Sequence, residues 1–440
     1  MTVMRYSGLA LALLGSALGS TTTQAQLSPA ETRAVAVVDA EHERSIALLQ
    51  TLVDQNSGTM NLAGVAKVGA MVRGELEPLG FQVRWKPMPQ TKRAGHLIAV
   101  HPGKPGTKRL LLIGHLDTVF EHDSPFQRFV RKGDSAQGPG AGDDKGGMVV
   151  MLSALRAMKA AGLLDGANIE IVLTGDEEDA GDPVEIARAD LIAAGKRADV
   201  ALDFEGLSVV DGRDMGSIAR RSSNSWTLTT TGKTGHSSLI FSDSYGDGAI
   251  NEMARILAAF RKDLPEPNLT FNTGVVAGGA TAALDADGVR ATATGKGNII
   301  AATAVARGDF RTLSEDQTQR VRAKMTAIVA RHAPGTSATI SFESGYPAMP
   351  PTAGNRVLLD RLNRVNRDMR LPEMAALDPL KRGAGDIAFV AGDVDGLIGL
   401  GTASSGDHAP GETVDLGSIR RQAKRAAILM ARLSREPAAR

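Results

Sequence analysis

Three apolar runs in this chain end alike. "RLLLIG" (109–114) leads into His115 and Asp117. "IEIVLT" (169–174) leads into Asp176, Glu177, Glu178 and Asp179. "ADVALDF" (198–204) carries Asp203 and is followed by Glu205. Runs without polar alternation suit strands buried on both faces, as in parallel sheets covered by helices. Between the first two lies 146–162, where Met148, Leu152, Leu155 and Met158 recur at helical spacing. The strand, helix, strand order predicts an α/β fold with a mostly parallel sheet flanked by helices. Further strands are predicted at 81–85 and 96–100. Helices are predicted over 28–55, entered at Ser28-Pro29, and over 62–79, stopped by Gly80.

The pattern changes after about Gly216. An alternating strand at 225–231 precedes a helix near 247–262 and strands near 270–277 and 300–311. A helix over 314–332 and a strand at 337–343 follow. Strand-helix-strand twice predicts a ferredoxin-like α+β domain. "GYPAMPPTAG" (345–354) reads as a linker back. The expected division is 26–215 and 345–440 for one large domain, with 216–344 inserted in it.

Composition sets further limits. A formal net charge of +1 gives no reason to expect nucleic acid or an anionic membrane surface as partner. Paired cations such as Arg220-Arg221 read as solvated surface. With no Cys in the chain, disulfides, thiolate metal sites and Cys nucleophiles are excluded. Arg5, the apolar stretch Gly8 to Ser20, and small residues at Thr23 and Ala25 predict a secretory signal cleaved after about Ala25. The mature protein is then expected to be secreted or periplasmic.

Positions i and i+2 of a strand face the same way, so His115 and Asp117 project together at the strand end, where open α/β sheets place their ligands. A capped strand end explains that pair by itself. "GPGAGDDKGG" (138–147) adds Asp143 and Asp144, of which a helix N-cap accounts for one. "SSGDHAPGE" (404–412) adds His408. Acids and imidazoles thus converge on one sheet edge from at least five segments. Carboxylates packed this closely repel unless a cation lies among them. Two His, several carboxylates and no Cys suit Zn²⁺, with Co²⁺ or Mn²⁺ as alternatives, and the donor supply is enough for two ions.

Those motifs, "GHLDTV", "GPGAGDDKGG" and "TGDEE", resemble the dinuclear zinc hydrolases that include glutamate carboxypeptidase, aminoacylase-1, acetylornithine deacetylase and succinyl-diaminopimelate desuccinylase. In layout the secreted glutamate carboxypeptidase branch is nearest. The resemblance implies two Zn²⁺ per subunit. His115, Asp143, Glu178, Glu205 and His408 would be ligands, Asp143 bridging and followed by a cis peptide, with Asp203 a rival to Glu205. It makes Glu177 the general base, with Asp117 orienting His115. In "GKTGHSS", His236 would stabilise the oxyanion in a neighbouring subunit's site. Asn298 and Arg311 would hold the substrate carboxylate, with Gly385 of "RGAGD" lining the pocket. Ala301 stands where the family pattern has Pro. The implied activity is release of a C-terminal amino acid, Glu/Asp-like favoured, from a peptide or N-acyl amino acid, by a homodimer joined through the inserted domain. A dipeptidase or N-acyl-amino-acid deacylase keeps the same chemistry. A catalytically inactive dimeric binding protein is the alternative of another class, and the intact Glu177 and His408 speak against it.

Overall fold

The computed structural model describes residues 26–438, so the signal segment expected over 1–25 lies outside the described residues. The strand Arg109–His115 explains the large domain. Leu110 and Leu112 point into one hydrophobic cluster, while Leu111 and Ile113 point into another on the opposite face. All four are fully buried. Such a strand must be central, and it lies between Asn168–Thr174 and Val200–Asp203, parallel to both. The sheet runs Gln82–Met88, Arg93–His101, Asn168–Thr174, Arg109–His115, Val200–Asp203, Gly396–Leu397. Only Arg93–His101 runs against the rest. His115 lies opposite Thr174 and Ile113 opposite Asp203, so three polar strand ends finish along one edge.

Helix Lys145–Ala160 covers one face and is buried nearly all round, as its continuous apolar sequence requires. Leu416–Leu433 packs beside it. The segment expected as one helix over 28–55 is two, Pro29–Ala40 and His42–Asp54. The break falls at Glu41, whose backbone leaves helical geometry. Ser28 and Glu31 form a capping box at the entry. Gly80 ends the next helical segment at φ 100°, a conformation that favours glycine.

The smaller domain forms a four-stranded antiparallel sheet in the order Thr270–Gly279, Thr303–Arg311, Asn224–Gly232, Thr336–Ser344. Helices Gly248–Asp263 and Glu315–Val329 cover one face through a core containing Trp226, Phe260 and Phe310. A hairpin of Thr281–Leu284 and Ala291–Thr294, not foreseen in the sequence, extends it. The chain crosses between domains later than the boundary drawn at 216. Gly216 still bridges Ala376, Ser217 bridges Ile398, and Arg220 bridges Met349. Among the described residues no helix is long and apolar enough to cross a membrane.

Candidate active site

The strand-end residues and the Gly-rich turn meet. His115 Nε2 lies 3.0 Å from Asp143 Oδ1, and His408 Nε2 lies 3.1 Å from Asp143 Oδ2. One carboxylate thus faces two imidazoles, one through each oxygen. His408 Nε2 also stands 3.2 Å from Glu178 Oε2. One donor atom each from His115, Asp143 and Glu178 fall within 4.8 Å of one another, a grouping able to hold a metal ion. The donors are imidazole nitrogen and carboxylate oxygen, a set that suits zinc. The carboxylates of Asp143 and Glu178 push His408 up to about 11.

The backbone brings this about in three ways. First, Asp117 is fully buried and faces His115 Nδ1, with its Oδ1 at 3.3 Å and its carbonyl at 3.1 Å. A carboxylate behind a histidine fixes the ring's orientation and tautomer. Asp117 also accepts from the Glu177 and Glu178 backbone N–H groups at 3.0 and 3.1 Å and from Thr59 at 2.6 Å. It therefore clamps the acidic loop as well as the imidazole. Second, the turn around Asp143 is held by Glu412, which the sequence reading passed over. Its carboxylate accepts from the N–H groups of Gly140, Gly142 and Asp143 at 3.0, 2.6 and 3.0 Å. Burial pushes Glu412 up to about 7 against the pull of those three donors. The Asp143–Asp144 peptide is cis. Third, His408 sits at a positive φ of 65° in its own Gly-flanked turn.

Glu177 lines a cavity of about 460 Å³ together with Asp143, Glu178, Glu205 and His408. Burial, then the nearby Glu205 carboxylate, lifts its carboxyl well above the usual range. Glu205 stands apart from the metal grouping: its side chain is paired with Arg220, with Arg382 at 3.8 Å. Asp203 accepts the Glu205 N–H at 2.9 Å, and burial pushes it up to about 8.

The reading of Arg220-Arg221 as solvated surface is overturned. Arg220 is 5% exposed and Arg221 8%. The buried carboxylate of Glu205 demands a partner, and Arg220 hydrogen-bonds to it. An acid just past a buried strand, needing a cation inside the protein, is the signal that reasoning by composition missed. Arg311 and Arg382 line the same cavity. Asn298 and His236 do not: both are exposed, where the Ser237 N–H donates to the Asn298 carbonyl at 2.9 Å and His236 Nδ1 meets the Ser238 hydroxyl at 2.8 Å.

Gly385 has ordinary extended backbone, so its lack of a side chain serves space. A Cβ there would stand 2.6 Å from Glu205 Oε1 and press on the Arg220 guanidinium. Gly385→Ala should therefore displace the pair and cost up to roughly 100-fold in kcat/KM. Unchanged kcat/KM would show that the pair yields without consequence.

Residues 111–432 match the model of peptidase family M20/M25/M40. The chain belongs to that family. It is a metallo-hydrolase of amide bonds. Among curated relatives it is 28% identical over 404 residues to Carboxypeptidase G2 of Pseudomonas sp. (strain RS-16), covering 89% of each chain. Among solved structures, an M20 family metallo-carboxypeptidase from Sulfolobus solfataricus superposes with TM-score 0.67 at 15% identity, over 89% of this chain and 99% of that one. A dinuclear metal binding peptidase of the M20 family from Bacillus subtilis gives 0.62 at 16% identity, over 90% and 99%. These two M20 structures share the fold, inserted domain included.

Proposed function

We propose that this M20 family member is a dizinc amidohydrolase that releases a C-terminal amino acid, preferably Glu or Asp, from a peptide or N-acyl amino acid. The observation that carries it is the Asp143 carboxylate set between the His115 and His408 imidazoles, beside a fixed Glu177-Glu178 pair. His115, Asp143, Glu178 and His408 would hold the metal, with Glu205 a further candidate ligand lining the same cavity. Bound ions would supply an acidified water and polarise the amide carbonyl.

The chain's own groups do the rest. Glu177 takes the proton of the attacking water and delivers it to the departing amine as the C–N bond breaks. Arg311 offers a planar fork to the substrate's terminal carboxylate. Arg382 lies in the same cavity, its guanidinium 3.8 Å from the Glu205 carboxylate that Arg220 already holds, and is a second cation for an acidic side chain. Carboxypeptidase G2, as a relative by sequence, supports C-terminal release.

The test is a panel of dipeptides and N-acyl amino acids with Glu, Asp, Leu and Lys at the C-terminus, run on zinc-reconstituted protein and on protein stripped with a chelator. The expected result is hydrolysis only with metal, fastest for Glu or Asp. Equal rates for Lys and Glu would sink the acidic preference. Activity untouched by the chelator would sink the metal mechanism.

The same reading has two copies join through the small domain, where the exposed His236 is free to serve a neighbour's cavity. Light scattering on the purified protein should give twice the chain mass. A mass of one chain would refute the pairing. Secretion after cleavage near Ala25 belongs to this reading too, tested by fractionation and N-terminal sequencing of the mature protein.

A further inference from the structure

Two stretches carry the chain between the domains, and they pair with each other. The Arg220 N–H donates to the Met349 carbonyl at 3.0 Å and the Met349 N–H returns to Arg220 at 2.9 Å. The Ser223 N–H donates to Tyr346 at 2.9 Å and the Gly345 N–H to Ser223 at 3.1 Å. Each stretch also sends a side chain toward the Glu177 loop or its neighbouring acid. From the outgoing stretch Arg220 reaches Glu205. From the returning stretch the Tyr346 hydroxyl donates to the Glu177 carbonyl at 2.7 Å.

Tyr346 is held from behind. Arg188 Nη2 donates to its hydroxyl at 2.7 Å, which leaves the hydroxyl hydrogen for Glu177. The ring packs edge-on against Phe389 at 5.0 Å, with the Arg188 guanidinium 5.6 Å from each ring centre. Arg188 is fully buried and also grips the Asp176 carboxylate at 2.6 Å and its carbonyl at 3.0 Å. Asp176 and Glu177 are neighbours in the acidic loop. Asp117 fixes that loop through its N–H groups, and Tyr346 fixes it through a carbonyl.

We propose that Tyr346 is a positioning residue that ties the Glu177 loop to the interdomain crossover, so that the base is correctly aimed only while the paired crossover keeps this geometry. The proposal rests on the reading of Glu177 as general base. It makes the crossover a part of the catalytic apparatus, because any rotation of the small domain about these strands acts on the Tyr346 hydroxyl.

The test is a double-mutant cycle on zinc-reconstituted full-length protein with the fastest substrate of the dipeptide and N-acyl amino acid panel. Tyr346→Phe keeps the ring against Phe389 and deletes only the hydroxyl. It should lower kcat by roughly 10- to 100-fold, with KM, zinc content and Tm little changed. In a Glu177→Gln background the same substitution should cost no more than a small fraction of that, because the group it aims is already disabled. Full kcat in Tyr346→Phe would overturn the proposal. So would an equal loss in both backgrounds, or a loss matched by a fall in Tm or zinc content, since these mark a merely structural role. A Glu177→Gln variant with near-normal kcat would instead remove the base assignment itself, an outcome distinct from failure of the coupling.

Discussion

Glu177→Gln should lose roughly 10²- to 10⁴-fold in kcat while binding metal as the parent does. The substitution preserves size and the two backbone N–H bonds that Asp117 accepts from the loop, so the site's frame stays intact. What disappears, on the proposed reading, is the carboxylate that takes a proton from water and returns it to the amine. Isothermal titration with zinc and steady-state kinetics on one preparation separate the two properties. Turnover close to the parent's, with full metal occupancy, would refute the role given to Glu177. Loss of metal along with turnover would show that the side chain ligates.

Arg188→Met should destabilise the fold by about 3–5 kcal/mol, read from urea denaturation with the metal removed. Arg188 joins two buried acids, Asp176 and Asp386, at 2.6 and 2.7 Å. Neither acid is more than 2% exposed. Methionine fills similar space but leaves both carboxylates in the interior without their cation, and the penalty comes from that isolation more than from a lost attraction. A change under about 1 kcal/mol, the range of exposed pairs, would mean that water or a shifted neighbour replaces the guanidinium. Because the network also holds Tyr346, activity should fall as well, but the denaturation midpoint is the decisive readout.

Much of the frame was legible from local rules. The strands ending at His115, Thr174 and Asp203 announced themselves by unbroken apolar runs, and a strand of that kind has to be interior. Helix Lys145–Ala160 followed from its periodicity. What stayed hidden depended on partners distant in sequence. Nothing near Glu41 predicts the break between Pro29–Ala40 and His42–Asp54. Helices Ala353–Asp368 and Leu416–Leu433 were not drawn from the sequence, although both carry buried apolar stripes.

The site divides in the same way. His115, Asp143, Glu178 and His408 could be named because their motifs are short and contiguous, and the fold brings them together. Arg220 could not: two adjacent arginines in a polar stretch look like surface, and only the buried acid fifteen positions earlier gives one of them an interior partner. Glu412 escaped for a related reason. Its role is to hold backbone N–H groups 270 residues upstream, and no side-chain pattern records a bond to a main chain.

Asp143 meets His408 across 265 residues of chain, and the small domain lies between them. During synthesis on a ribosome, His115, Asp143 and Glu177 all emerge long before His408 and Glu412. A growing polypeptide therefore carries a half-built centre while the inserted sheet is being made. If His408 serves as proposed, hydrolysis waits for the final segment, and the centre is completed only when translation is nearly finished.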